Sequence, residues 1–404
     1  MPPVVERMSL EHAPAAVPDS LPPHGAPGGV AVPAPGARGG AVAGAAQEGR
    51  EGSGAAARTS GTAAAGRGAG ADRRAAERRA AQRAERVAAG LAELERWLAD
   101  RVRRGIADSR ASGPGEWDEL ARRLVDAQAP GVAGAVSRLT SLLARDDWPS
   151  RLLEEYALLN LLAVGYRRGV DGPLGETIRA RVGFTTTKAD VLAGERVRDE
   201  WHVIGRRDSV DGPLLARRVW LRGRRSGRAA LMLSFAPAAE ELDDPPATGA
   251  VVDAELAFYP GASPLRVQVA DRWGTRRSGA PPGTSVVQAQ QEVAAALAGD
   301  PWTDSWPVVL SGVVPLRGED GWLLGHPPAP SAGRDGEDGR GGEADADGAG
   351  EAAGWALDPR GGTPLRLIAV SGGEPVTVSA EWTPYGLTPL AVWAGPEDEA
   401  VTLP

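Results

Sequence analysis

Histidines and adjacent acids are the residues of this 404-residue chain best suited to proton transfer or metal binding. His12, His24, His202 and His326 are far apart, and no two have the i, i+4 spacing that places two imidazoles on one helix face. His202 alternates with Trp201 and Val203, as a strand residue would, and His326 borders an acidic stretch. Asp146-Asp147, Glu240-Glu241 and Asp243-Asp244 stand beside proline or at a helix start, where carboxylates cap and solvate. Paired acid–base work also needs a pocket that drives two pKa values apart, and no spacing in the sequence supplies one. The string GAPPGTS (279–285) lacks the Gly-Lys-Ser/Thr core of a phosphate loop, and Thr284 or Ser285 is expected to cap a helix instead. With no cysteine, the chain has no thiolate nucleophile, no disulfide and no cysteine-containing zinc site. The residues predict no catalytic group, no metal ligand and no cofactor, so the chain is expected not to be an enzyme. The alternative is an uncharacterised hydrolase or transferase whose site forms between two parts of the fold.

What remains is binding chemistry. The string EWHVIGRRDSVDGPLLARRVWLRG (200–223) alternates apolar and charged residues about a turn at Asp211-Gly212-Pro213. Trp201, Val203 and Gly205 fall on one face of its first strand, and Arg198, Glu200, His202, Ile204 and Arg206 on the other, the pattern of a half-buried antiparallel strand. The string RRAAERRAAQRAERVAA (73–89) is locally basic but carries Glu77 and Glu85 among its arginines, as a solvated helix does. Arg198, Arg206, Arg217, Arg73, Arg74, Arg78 and Arg79 are the expected contact face. Its partner is an acidic protein or, alternatively, nucleic acid reached through a basic helix over 73–104. The net charge of −8 argues against a dedicated phosphate binder, which shows a basic surplus. Nine tryptophans lie after Gly194. Each, when buried, removes about 150–250 Å² from water, worth roughly 4–6 kcal/mol before entropy is subtracted. With only three phenylalanines in the chain, they are expected to fill the core.

The elements that must position these residues divide by period. Residues 1–72 are rich in Ala, Gly and Pro, without aromatics or a period, and are expected to be disordered. From Arg73 to about Gly194 the period is helical. Val87, Leu91, Leu94, Leu98 and Val102 draw one stripe. Trp117, Leu120 and Leu124 mark a second helix, ended by Pro130-Gly131, and Val136, Leu139 and Leu143 a third. The string WPSRLLEEYALLNLLAVGYRR (148–168) is apolar on nearly every side, which predicts a helix covered by its neighbours. Thr187 and Asp190 form a capping-box pattern for a short helix over 188–193. After Gly194 the period becomes two, with strands expected at 198–206, 214–222, 228–236, 250–258, 264–270, 307–317, 321–325, 364–370, 375–383 and 387–394. One helix, 284–299, interrupts them, with Val287, Gln291, Ala294 and Leu297 on one side. The acidic stretch 327–353 is expected to be a disordered insert, and 396–404 a tail. The predicted fold is α+β: a helical subdomain over 73–194, then a mostly antiparallel β domain over 195–395, a sandwich or open barrel, with long disordered segments. No basic segment followed by an apolar run opens the chain and no 18-residue apolar window occurs, so a cytoplasmic protein without a membrane partner is expected.

Several strings carry a resemblance. WDELARRLVDAQAPGVA (117–133), ALMLSFAP (230–237), DAELAFYPGASPLR (253–266), DPWTDSWPVVLSGVVPLR (300–317), RLIAVSGGEPVTVSAEW (366–382) and LTPLAVWA (387–394) resemble the C-terminal half of actinobacterial SWIM zinc finger family proteins. In that family a Cys-x-Cys…Cys-x-His finger precedes this region. Here no cysteine can supply the thiolates, so the zinc of full-length relatives has no ligands and no such finger can form. The chain is expected to be a truncated, split or mis-started member. The resemblance implies protein- or DNA-binding work, with AAA-type ATPase or von Willebrand A proteins as partners. The expected function is a non-catalytic accessory region that binds a protein.

Overall fold

The computed structural model describes residues 58–111, 115–211, 214–237, 240, 242, 244–327, 354–394 and 399–403. Most of the two segments expected to be disordered, 1–57 and 328–353, lies outside the described residues. The fold is α+β, helices first and mostly antiparallel sheets after them.

Seven helices come first: α1 (Arg58–Arg104), α2 (Asp108–Ala111), α3 (Gly115–Asp126), α4 (Pro130–Leu142), α5 (Trp148–Arg167), α6 (Gly172–Val182) and α7 (Lys188–Ala193). α1 begins at Arg58, which corrects the expectation of disorder through residue 72. Val87, Leu91, Leu94 and Leu98 are buried as their spacing predicts, but Val102 is exposed. They pack with Trp117, Leu120, Leu124, Val136 and Leu139 in one core. Pro130 does not end α3. It opens α4 at the first helical position, where its missing N–H costs nothing. α5 is covered less completely than its composition suggested: Leu152, Tyr156, Leu159 and Leu162 face the core while Leu153 and Leu161 face water. The Thr187–Asp190 capping box forms, with each side chain bonded to the other's backbone N–H at 3.2 and 3.3 Å.

The first five strands are β1 (Arg196–Asp211), β2 (Leu214–Gly223), β3 (Ala229–Pro237), β4 (Ala250–Phe258) and β5 (Arg266–Arg277). They form a closed barrel in the order β1-β2-β3-β5-β4, antiparallel except where β3 meets β5. Within the mostly antiparallel β domain this barrel is closed, since the parallel β3–β5 contact at Leu231 and Met232 joins its two edges. Trp201, Val203, Val219, Leu221, Val252 and Leu256 fill the interior.

A second sheet has six strands: β6 (Trp306–Arg317), β7 (Trp322–Gly325), β8 (Gly354–Ala356), β9 (Val376–Thr383), β10 (Gly386–Trp393) and β11 (Ala400–Thr402), in the order β11-β10-β9-β6-β7-β8. The helices α8 (Val286–Gly299) and α9 (Leu365–Ser371) contribute to its core. Ser285 caps α8 through a capping box with Gln288. The buried face of α8 is Val286, Ala289, Val293 and Ala296, not the face through Val287, because small alanines let the helix lie close to the sheet. Residues 364–370, expected as a strand, form α9. Ile368 N–H bonds to Pro364 O at 3.0 Å, and Gly372 closes the helix in the left-handed conformation at φ 57°. The expected tail contains β11, which pairs with β10, and Leu403 is buried beside it.

Barrel and sheet meet through Ile204, Trp220, Val309 and Leu390. This overturns the half-buried reading of β1. Trp201 and Val203 point into the barrel, while Ile204 points at the sheet, so both faces are buried. A bulge between Val203 and Gly205 accommodates the contact, and a Cβ at Gly205 would stand 2.6 Å from Leu390 Cβ.

Candidate interaction groove

The arginines predicted to form one contact face are not placed together as free cations. Arg217 forks onto Asp208 at 2.9 and 2.8 Å, and Arg206 lies 3.8 Å from the same carboxylate and 3.5 Å from Asp244. Arg198 lies 3.2 Å from Asp253 and 4.0 Å from the ring centre of Trp273, the one largely exposed tryptophan among the described residues. On the hairpin the positive charge is thus matched within the fold. Arg73, Arg74, Arg78 and Arg79 lie separately on α1, all exposed.

His202 is 4 % exposed, and its Nε2 has no hydrogen-bond partner among the described residues. Burial pushes its pKa below the ordinary value, and Arg224 and Arg276 add to the effect. A neutral imidazole without a carboxylate to orient it lacks the arrangement that makes a histidine a general base. Among the described residues no group of three or more His, Asp or Glu side chains is placed to hold a metal ion. None of the described helices is long and apolar enough to cross a membrane.

Among several hollows of similar size, the structure builds a concave site along β10 that the sequence reading missed. β8 leads into Leu357 and Asp358, whose N–H groups bond to Trp322 O and Leu387 O, each at 2.8 Å. At the other end of the same edge of β10, Leu403 N–H bonds to Leu390 O at 2.8 Å. Thr388 and Pro389 lie between these two anchors, beneath a short 3₁₀ turn, Pro359–Gly361, and the start of α9. The result is a groove of about 610 Å³. Its floor is apolar: Leu357, Leu367, Leu387 and Leu403. Its rim carries Arg207, Arg360 and Arg366, together with Leu365, which is 70 % exposed.

Each rim arginine has a different status. Arg360 clasps Asp358 through Nε at 2.9 Å and Nη2 at 2.5 Å, and stacks 4.0 Å from the ring centre of Tyr385. Arg145 and Arg151, from the helical part, pack on the same ring at 4.4 and 4.6 Å. Burial works to raise the Asp358 pKa, but hydrogen bonds from the Arg360 side chain and N–H outweigh it and hold the carboxyl below its ordinary range. Arg207 donates to Glu381, a buried carboxylate on β9, at 2.8 Å. Arg366 is exposed and makes no ion pair among the described residues. Asp358-Pro359-Arg360-Gly361-Gly362 could have signalled a tight turn. Reading 364–370 as a strand hid the groove, since it needs α9 as one wall.

Residues 82–182 match the family model of the SWIM-associated four-helix bundle domain. The match runs from the middle of α1 to the end of α6 and stops before the barrel. It supports a relation to SWIM-family proteins in the part that contains the Trp117–Leu124 stripe. No curated protein and no solved structure matches the chain.

Proposed function

We propose that the chain is a non-catalytic interaction module of a SWIM-family protein, and that it grips a segment of a protein partner in the groove beside β10. One observation carries the reading: a leucine-floored trough whose rim presents an exposed Leu365 and an Arg366 unmatched among the described residues. Exposed apolar area framed by polar groups is what binding surfaces offer and what folded monomers otherwise keep small. The unoriented, neutral His202 supports the non-catalytic half of the reading. The resemblance implies AAA-type ATPases and von Willebrand A proteins as candidate partners.

The test is selection of displayed 12-residue peptides on the purified chain, followed by binding to Leu365→Ser. Selected peptides are expected to lose about tenfold in affinity for the variant, the scale of losing much of one buried leucine contact. Selection that yields no binder, or binders indifferent to the substitution, removes the groove from the proposal.

A second reading rests on Arg73, Arg74, Arg78 and Arg79, exposed on α1 without ion-pair partners among the described residues: the helix tracks the backbone of a nucleic acid. Gel shifts decide it. Absence of binding at about 50 mM salt, where phosphate contacts are strong, ends that reading.

A further inference from the structure

We infer that the occupant of the groove is an extended protein segment in which a leucine- or phenylalanine-type side chain stands next to an aspartate or glutamate. The inference rests on the interaction reading above and names the chemistry of the partner.

Strand addition is a poor description of how this groove binds. The edge of β10 is already used by Asp358 at one end and Leu403 at the other, and Pro389 between them has no N–H to offer. Recognition must therefore come from side chains. The floor is built of Leu357, Leu367, Leu387 and Leu403, so it accepts an apolar group. The rim supplies charge of one sign. Three guanidiniums line the groove, and two carboxylates face them: Asp358 is spent on Arg360, and Glu381 on Arg207. Among the described residues Arg366 is left over, next to the exposed Leu365. An apolar residue seated on the floor brings its chain neighbours to the rim, where a carboxylate meets Arg366 and a lysine meets only like charge. A guanidinium binds a carboxylate with two parallel hydrogen bonds, which adds orientation as well as attraction.

The experiment uses the full chain and two fluorescein-labelled octapeptides with capped ends, one alternating leucine and glutamate, the other leucine and glutamine. At about 50 mM salt the acidic peptide is expected to bind about tenfold tighter, and raising the salt should shrink that ratio. Arg366→Glu should abolish the preference, while Leu365→Ser should weaken both peptides. Equal binding of the two peptides, still weakened by Leu365→Ser, overturns the acidic partner and leaves the interaction module standing. Binding of neither peptide, or binding untouched by Leu365→Ser, overturns both. If the acidic peptide binds only after residues 328–353 are deleted, the chain's own acidic stretch is the occupant and the proposal fails. If the chain forms a dimer that Arg366→Glu dissociates, a second copy is the occupant and the proposal fails equally.

Discussion

Two carboxylates in this fold are both shut off from solvent and behave in opposite ways. Asp199, on the barrel strand β1, and Glu381, on the sheet strand β9, are each 1 % exposed. Asp199 is held below its ordinary pKa and Glu381 above it. Burial pushes both upward, because a low dielectric penalises the charged form. Glu381 is the more closely enclosed of the two, and the donors differ as well. Asp199 accepts from three backbone N–H groups, those of Glu200 at 2.7 Å, Arg225 at 3.1 Å and Ser226 at 2.8 Å. The Ser226 side chain adds to them, Arg225 Nε lies 3.5 Å away, and the Arg225 and Ser226 amides are held by the turn between β2 and β3. Glu381 has Arg207 at 2.8 Å and Arg218 at 3.9 Å. Both arginines are about a third exposed, so water screens their attraction. The Ser226 side chain and three amides outweigh the weaker burial at Asp199, and two partly solvated guanidiniums do not outweigh the deeper burial at Glu381. Asp199 is a piece of architecture, whereas Glu381 is tied through Arg207 to the wall of the groove.

The largest expected effect comes from breaking the first of these. Asp199→Ala leaves three partly buried N–H groups without their acceptor, at about 2 kcal/mol. The midpoint of urea unfolding reads it, and a loss below about 1 kcal/mol would mean that water reaches the turn and replaces the carboxylate. Space at this site is equally constrained. A Cβ at Gly223 would lie 2.6 Å from Asp199 Oδ2, which is why the strand ends on glycine. The pH dependence follows from the depressed pKa. The contribution of Asp199 is complete above its ordinary value of 3.8 and is lost as pH falls through the lower folded value.

How much of this the sequence displays depends on the range over which each feature is determined. The stripe from Val87 to Leu98 and the capping boxes at Thr187 and Ser285 are settled within one or two helical turns, and they stand where the residues put them. The change of period after Gly194 gave the α+β order for the same reason. α9 was misread because Leu365, Leu367 and the following β-branched residues satisfy a period of two as well as a short helix does. Only the packing of Leu367 under the sheet and the left-handed Gly372 decide between them. The arginines of the hairpin were counted correctly but not their partners, since Asp208 lies across the strand pair and Asp253 on another strand. The groove was the least legible feature. It is assembled from β1, the residues after β8, α9, β10 and the residue after β11, so no window of sequence contains it.

The second carboxylate gives the smaller effect and the sharper comparison. Because the fold raises the pKa of Glu381, its ionisation opposes folding. That cost is absent below the ordinary value of 4.5 and grows as pH rises through the higher folded value. Glutamine resembles the protonated form and keeps an oxygen for Arg207. Glu381→Gln should therefore be neutral or mildly stabilising at pH 7, within about 1 kcal/mol, against the large loss at Asp199. The same substitution removes the charge that Arg207 now answers, leaving a second unmatched guanidinium on the groove rim beside Arg366. Affinity for the leucine–glutamate peptide should rise about threefold, the scale of one added exposed ion pair, while affinity for the leucine–glutamine peptide stays constant. If the glutamine variant is as unstable as Asp199→Ala, the two carboxylates do the same job and the contrast between them is false. If stability holds but neither peptide notices, Glu381 is a core residue and Arg207 is no part of the binding surface.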